Sequence, residues 1–174
     1  MSIKNNTNKV LTIFLEDSLG EFRLREIGRK TKLSPTAVKK HLEILEKEKL
    51  INKIIKMGNP IYIANRDTER FSLNQRTHTI FTLEDSGLLE FLSEKAAPTS
   101  ITLFGSHVKG EATKDSDIDL FLIGKETDIE VSDYEKKLNK KLHIFFQEDP
   151  KIISKELKNN LINGIVLRGY LKLL

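Results

Sequence analysis

Two short motifs in the second half of the chain combine residue types that can handle a phosphate and a divalent cation. Gly105 and Ser106 follow one apolar run, and Asp117 and Asp119 stand at the start of the next. A strand that ends in Gly-Ser, where a helix can begin, offers unpaired backbone N–H groups to a phosphate. Because alternate side chains of a strand share a face, the two aspartates can converge on one cation. The motifs therefore predict a site for a nucleoside triphosphate and its metal.

The apolar runs around these motifs predict the strands that must hold them. Residues 101–104 form the run before the glycine, residues 118–123 the run that contains the second aspartate, and residues 142–146 a third core strand. The last apolar segment, residues 164–171, is compatible with either a strand or a helix. A small sheet is thus expected beneath the motifs.

The order of strand, glycine, serine and aspartates closely resembles the signature of the minimal nucleotidyltransferases, small members of the DNA polymerase beta-like superfamily. The resemblance covers about residues 74–174 and is most specific from Gly105 to Leu122. It implies a short mixed sheet flanked by helices. It also implies Mg²⁺ or Mn²⁺ held by aspartates, and a nucleoside triphosphate as substrate, with ATP the favoured donor.

Carried over residue by residue, the resemblance assigns nucleotide binding to Gly105, Ser106 and Gly110. The same comparison makes Asp117 and Asp119 the first two metal ligands and the catalytic acids. The implied reaction is transfer of a nucleoside monophosphate, AMP above all, to a protein or small-molecule acceptor.

The third carboxylate of such a site is expected on the third core strand, where this chain has His143. Magnesium is a hard ion that prefers oxygen ligands, so a neutral imidazole is a poor substitute. Two interpretations stay open: a strand histidine without a metal role, or a ligand for a softer ion such as manganese or zinc. Because this difference affects catalysis more than binding, the sequence leaves open whether the protein is an enzyme.

The overall composition is that of an ordinary globular chain with room for two small domains. It has 174 residues, of which 39% are hydrophobic and 31% charged, and it contains no cysteine. There is no apolar run long enough to span a membrane and no leader-like start. We therefore expect a cytoplasmic protein without disulfides or thiolate metal sites.

Charge is divided unevenly along the chain. Residues 1–65 contain 13 Lys+Arg against 7 Asp+Glu, a net of +6, whereas residues 66–174 contain 16 against 18, a net of −2. A basic excess confined to one domain predicts a polyanionic partner for that domain, although a solvated lysine face gives the same count.

The first 65 residues also have the pattern of three helices followed by a hairpin. Ser34 and Pro35 form a strong helix start, since serine can cap and proline suits the first helical position. Two strand-like runs flank Met57 to Pro60, which is a turn signal. The segment from Leu24 to Leu42 is similar to the helix-turn-helix core of winged-helix transcription regulators of bacteria and archaea.

This resemblance implies duplex DNA as the partner of residues 1–65, bound by a homodimer at a two-fold site. The recognition helix is expected from Pro35 to Lys47, in the major groove. The candidate DNA contacts on this helix and on the wing are Thr36, Lys39, Lys40, Lys53, Lys56 and Asn59. The alternative is that the winged helix is a protein-binding or dimerisation module.

Together these observations predict an α+β protein with an N-terminal winged helix-turn-helix and a small mixed-sheet nucleotidyltransferase-fold domain. The expected parts are residues 1–65, a helical connector and first helix at residues 66–97, and residues 98–174. Two functions compete: a nucleotidyltransferase, or a transcriptional regulator or antitoxin-like protein whose impaired nucleotidyltransferase fold senses nucleotides or docks a partner. The partner in the second case would be a small helical toxin, by analogy with similar nucleotidyltransferases.

Overall fold

The computed structural model describes residues 6–149 and 152–172. The fold is α+β, with an N-terminal winged helix-turn-helix and a C-terminal mixed sheet, as the sequence predicts. Among the described residues, no helix has both the length and the apolar character needed to cross a membrane.

The chain divides into two compact units. The first contains the described residues up to His78 together with Ala112–Lys114. The second contains Thr79–Glu111 and the described residues from Asp115 onwards. The division therefore falls inside a helix rather than at a loop.

The first unit consists of three helices and a hairpin. Its elements are α1 (Asn6–Glu16), α2 (Leu24–Thr31), α3 (Pro35–Lys47), β1 (Ile51–Lys56) and β2 (Asn59–Ala64). The helices enclose a core of aliphatic and aromatic side chains that includes Val10, Phe14, Ile27, Val38, Leu42 and Leu45. All six of these side chains are essentially buried, so the hydrophobic effect is the main force that closes the unit.

Helix α3 begins where the sequence predicts. The Ser34 hydroxyl accepts a hydrogen bond from the Ala37 backbone N–H at 3.3 Å, and Pro35 occupies the first helical position. The turn before it requires Lys32 to adopt a left-handed backbone with φ of 58°. Local capping thus fixes the direction in which α3 leaves the turn.

The wing is the antiparallel hairpin of β1 and β2, in which Ile51 pairs with Ala64 and Lys56 with Asn59. Its two-residue turn has positive φ at both positions, 49° at Met57 and 75° at Gly58. Such a turn matches the right-handed twist of the flanking strands, which explains the tight connection.

Two consecutive helices connect the hairpin to the second sheet. Helix α4 (Glu69–Ser86) contributes Phe71 to the core of the first unit and Leu83 to that of the second. It ends before Gly87, whose φ of 82° begins the turn into α5 (Leu88–Ala96). The sequence predicts one or two helices here, broken near this glycine, and the structure confirms two.

The second unit is built on a four-stranded mixed sheet in the order β5-β4-β3-β6. Its remaining elements are β3 (Ser100–Phe104), α6 (Ser106–Lys109), β4 (Ile118–Ile123), α7 (Ser132–Leu138), β5 (Leu142–Gln147), α8 (Lys155–Ile162) and β6 (Ile165–Gly169). Strands β4 and β5 are parallel, and the other neighbours are antiparallel. The segment that was ambiguous in the sequence is therefore a strand, because β6 completes the sheet beside β3.

The two faces of this sheet are buried in different ways. Leu103, Leu120 and Leu122 belong to a large apolar cluster that also takes side chains from α4, α5 and α7. On the opposite face, Phe104 and Phe121 pack with residues of the α8 region in a smaller cluster. Asp119 shares the face of Phe121, because residues two apart on a strand point the same way.

Candidate functional site

Gly105 forms the sharp turn between β3 and α6. Its backbone, with φ of 77° and ψ of −152°, is in a region open to glycine and to few other residues. A Cβ atom at this position would clash with the Asp119 Oδ2 atom. Glycine is therefore needed for two reasons: the turn conformation and the close approach of the backbone to the carboxylate.

The sheet register explains this approach. Phe104, the last residue of β3, pairs with Asp119 of β4, so the turn that follows lies beside the aspartate. Ser106 opens α6, and Gly110 ends it in the left-handed conformation with φ of 72°. The structure thus places the Gly105 turn, with Ser106 directly after it, against Asp119.

His143 occupies the position opposite Asp119 on the neighbouring parallel strand. Its Nδ1 atom lies 3.3 Å from Asp119 Oδ1, and its Nε2 atom lies 3.5 Å from Asp117 Oδ2. The imidazole therefore lies between the two carboxylates, and both ring nitrogens face an acid. A protonated ring in this place would contribute one positive charge between two negative ones.

The environment of Asp119 acts on its charge in both directions. Burial raises the pKa of the Asp119 carboxyl above its ordinary value, while its hydrogen bond with His143 and the histidine charge lower it, and the Asp117 charge raises it again. The net direction is upward. Ionised Asp119 is therefore costly to the folded protein and is favoured by any cation that binds beside it.

The two aspartates fit a divalent cation that keeps several ligands from outside the protein. Asp117 and Asp119 supply carboxylate oxygens, which are the ligands that magnesium and manganese prefer. Within residues 6–149 and 152–172, no group of three or more acidic, histidine or cysteine side chains is arranged to hold a metal ion. Two carboxylates would leave most of the coordination shell of such a cation to phosphate oxygens or water.

Helix α6 is positioned by a buried contact that the sequence does not reveal. His107 is almost completely buried, and its Nδ1 atom lies 2.9 Å from the Thr79 hydroxyl of α4. This contact ties the first turn after Gly105 to the helix beneath the sheet. No local pattern links these two residues, because they are far apart along the chain.

The predicted DNA contacts are all solvent-exposed in the first unit. On α3, Thr36, Lys39 and Lys40 lie on its outer face; on the wing, Lys53, Lys56 and Asn59 are exposed. Two of the lysines already have acidic neighbours: Lys39 Nζ lies 4.0 Å from Glu43, and Lys56 Nζ lies 2.6 Å from Glu21. Exposed ion pairs of this kind contribute little to stability, so the two lysines can give them up for contacts with phosphates.

A basic cleft of about 600 Å³ lies between α2 and the wing. Its charged lining residues are Glu21, Arg23, Arg25, Glu26, Arg29 and Lys56. The three arginines were not among the predicted DNA contacts, although they contribute to the basic excess of residues 1–65. Their closeness to the wing becomes visible only when α2 and the hairpin are folded together.

We predict that Gly105→Ala destabilises the second unit by about 3 kcal/mol or more, because strain at positive φ adds to the clash with Asp119. Gly87→Ala is a matched control in the same unit. Gly87 has a φ of 82°, but a Cβ atom there would meet nothing within 4 Å. Urea denaturation of both variants measures the difference in the free energy of unfolding. Equal losses would show that the Asp119 carboxylate moves away from the new methyl group at no cost.

Comparison with known proteins agrees with the second unit's architecture. The family model described as "Nucleotidyltransferase domain" matches residues 86–167. The chain thus joins a winged helix-turn-helix to a region with the features of that family. Comparison with curated proteins gives no significant match.

Two solved structures of ZitR from Lactococcus lactis, both mutants and one in apo form, share limited similarity with the chain. The first has 20% sequence identity and a TM-score of 0.40, covering 55% of this chain and 65% of that one. The second has 21% identity and a TM-score of 0.41, covering 53% of this chain and 70% of that one. The chain therefore spans about two thirds of the length of these structures.

Proposed function

We propose that this protein binds DNA through its winged helix-turn-helix and binds a metal–nucleoside triphosphate complex in its second unit. The observation that carries the second part is the placement of the Gly105 turn against Asp119. This arrangement puts backbone donors for a phosphate next to a carboxylate for the accompanying cation. ATP is the triphosphate we favour, and AMP the group available for transfer to a protein or small-molecule acceptor.

Each site residue has a separate task in this proposal. The turn at Gly105 and the Ser106 hydroxyl donate hydrogen bonds to the phosphates, and Gly110 ends the short helix that follows. Asp117 and Asp119 hold Mg²⁺ or Mn²⁺ together with phosphate oxygens. When bound, the cation supplies charge neutralisation of the phosphates and of the leaving pyrophosphate.

A second candidate function is favoured by His143. Its imidazole stands where the resemblance leads one to expect a third carboxylate, and it already contacts both aspartates. A site with two oxygen ligands is sufficient to retain a metal–triphosphate complex but poorly equipped to activate an attacking group. In this case the second unit is a nucleotide sensor or partner-docking module attached to a DNA-binding regulator.

The experiment that separates these functions measures binding and transfer on the same preparation. Calorimetry of the full chain with each of the four common ribonucleoside triphosphates, with Mg²⁺ or Mn²⁺, reports binding. Incubation with the same triphosphates labelled in the nucleoside reports transfer. Binding with transfer supports the enzyme and binding alone supports the sensor, whereas absence of binding in every combination would refute the enzyme and the sensor and leave the partner-docking module.

For the first unit, we predict that Lys39→Gln combined with Lys40→Gln lowers the slope of log K against log salt for duplex DNA. The decrease is expected to reach up to about two phosphate contacts, each contributing about 0.9 to the slope. The double variant Lys125→Gln, Lys136→Gln is the control, since it removes equal charge from exposed positions of the second unit. A salt-independent affinity of the wild-type protein, or equal slopes for both variants, would contradict the role of α3.

A further inference from the structure

We propose that the exposed face of α4 is a two-fold interface at which a second copy of the chain packs antiparallel. The face consists of Arg70, Leu73, Thr77, Phe81 and Glu84, all of which are exposed. Leu73 and Phe81 keep 56% and 55% of their surface in solvent. Two large apolar side chains exposed on the same face of a charged helix indicate a surface that a partner covers.

The five residues have a symmetry that is visible in their spacing. Leu73 and Phe81 lie four residues before and after Thr77, and Arg70 and Glu84 lie seven residues before and after it. At about 100° per residue, all five fall within about 40° of one line along the helix. A two-fold rotation can therefore place a second α4 antiparallel to the first, with the two Thr77 residues at the centre. Each residue then faces the residue that lies equally far from Thr77 on the other side.

The counterparts are chemically complementary in this antiparallel arrangement. Leu73 meets Phe81 of the second copy, Arg70 meets its Glu84, and the two Thr77 residues face each other. Each contact except the central one occurs twice, because the interface is two-fold symmetric. A parallel arrangement would instead set arginine against arginine and glutamate against glutamate, so the charges select the antiparallel pair.

Both charged residues have room for a partner from another copy. Arg70 contacts Glu48 at 2.9 Å but its side chain is 59% exposed, and Glu84 contacts Arg168 at 2.7 Å with 51% of its side chain exposed. A guanidinium has five N–H donors, and a carboxylate accepts several hydrogen bonds, so each can engage a second ion. The ion pairs with Glu48 and Arg168 also restrict the positions of the Arg70 and Glu84 side chains on this face.

The flanking acids do not oppose this packing. Glu69 and Asp85 lie eight residues on either side of Thr77, about 80° away from the central line and on opposite sides of it. In the antiparallel pair they project to opposite edges. A second copy is therefore the occupant that matches the apolar pair and the opposite end charges at the same time.

Charge reversal with mixing tests the proposal. Arg70→Glu and Glu84→Arg each create two like-charge contacts in a homodimer, and we expect each to raise the dimer dissociation constant at least about tenfold in sedimentation equilibrium. An equimolar mixture of the two variants should restore wild-type dimerisation, because both contacts are again opposite in charge. Wild-type protein that stays monomeric up to about 1 mM, or a mixture no tighter than its components, would overturn the proposal.

A disulfide provides an independent test of the register. The chain has no cysteine, so Thr77→Cys carries a single thiol, and oxidation should convert most of that variant into a covalent dimer. Asp85→Cys is the matched control on the same helix and should form little covalent dimer. Equal cross-linking of the two variants would show that α4 does not pair about Thr77.

Discussion

Replacing Asp119 with alanine is expected to weaken the binding of a magnesium–ATP complex at least about 100-fold, because even groups behind metal ligands contribute 10 to 100-fold. The Asp119 carboxylate lies against the Gly105 turn and beside the His143 ring, so it is central to the proposed site. Its loss removes one of the two carboxylate ligands and leaves Asp117 alone to hold the cation with the phosphates. Isothermal calorimetry on the full chain measures the change.

Two further variants make this result specific. Asp133→Ala removes an equal charge from α7, which packs through Tyr134 and Leu138 on the opposite face of the sheet, and should bind like the wild type.

Asp119→Asn keeps the size of the side chain. Because folding raises the Asp119 pKa, the stability linked to its protonation is present below the unfolded pKa and lost as pH rises through the folded one.

Asp119→Asn should therefore unfold no more easily than the wild type at neutral pH, so that lost binding cannot be attributed to lost structure. Thermal unfolding without nucleotide checks this. If Asp119→Ala and the wild type bind the magnesium complex with equal affinity, the proposed site is wrong, whatever the second unit does otherwise.

The second large effect is expected at His143. We predict that the wild-type protein binds the metal–triphosphate complex but transfers nucleotide slowly or not at all, and that His143→Asp raises transfer at least about tenfold. The physical reason is that a carboxylate in the β5 position opposite Asp119 gives the site a third oxygen donor. Release of labelled pyrophosphate, measured with acceptor present, follows the rate.

His143→Asn is the control for this gain, because it removes the imidazole without adding a charged oxygen. A second readout is independent of the acceptor. Three carboxylates in one place repel one another, so magnesium should raise the melting temperature of His143→Asp more than that of the wild type. Vigorous magnesium-dependent transfer by the wild type, unchanged in His143→Ala, would instead show that this site needs no third acid.

The softer-ion interpretation of His143 makes a different prediction. An imidazole with both nitrogens facing carboxylates can serve manganese or zinc better than magnesium. In that case the wild type should transfer nucleotide with those metals and little with magnesium, and His143→Asp should lose this preference. Titrating the three metals against one labelled triphosphate distinguishes this outcome from an inactive sensor.

The sequence by itself determined the features that depend on neighbouring residues. The cap at Ser34, the proline at the start of α3 and the turn at Gly58 follow from local backbone chemistry, and the structure confirms them. The common face of residues two apart in β4 follows from the period of a strand. Each of these is fixed within a few residues, so no knowledge of the remaining fold was needed.

Only the tertiary structure decided which distant residues meet. The parallel pairing of β4 with β5 sets His143 between Asp117 and Asp119, and the antiparallel pairing of β3 sets Gly105 against Asp119. Pairing with β3 also made residues 165–169 a strand, although their apolar pattern suited a helix equally well. Strand order and register are set by the burial of whole faces in a core, and that burial is a property of the assembled sheet rather than of any one segment.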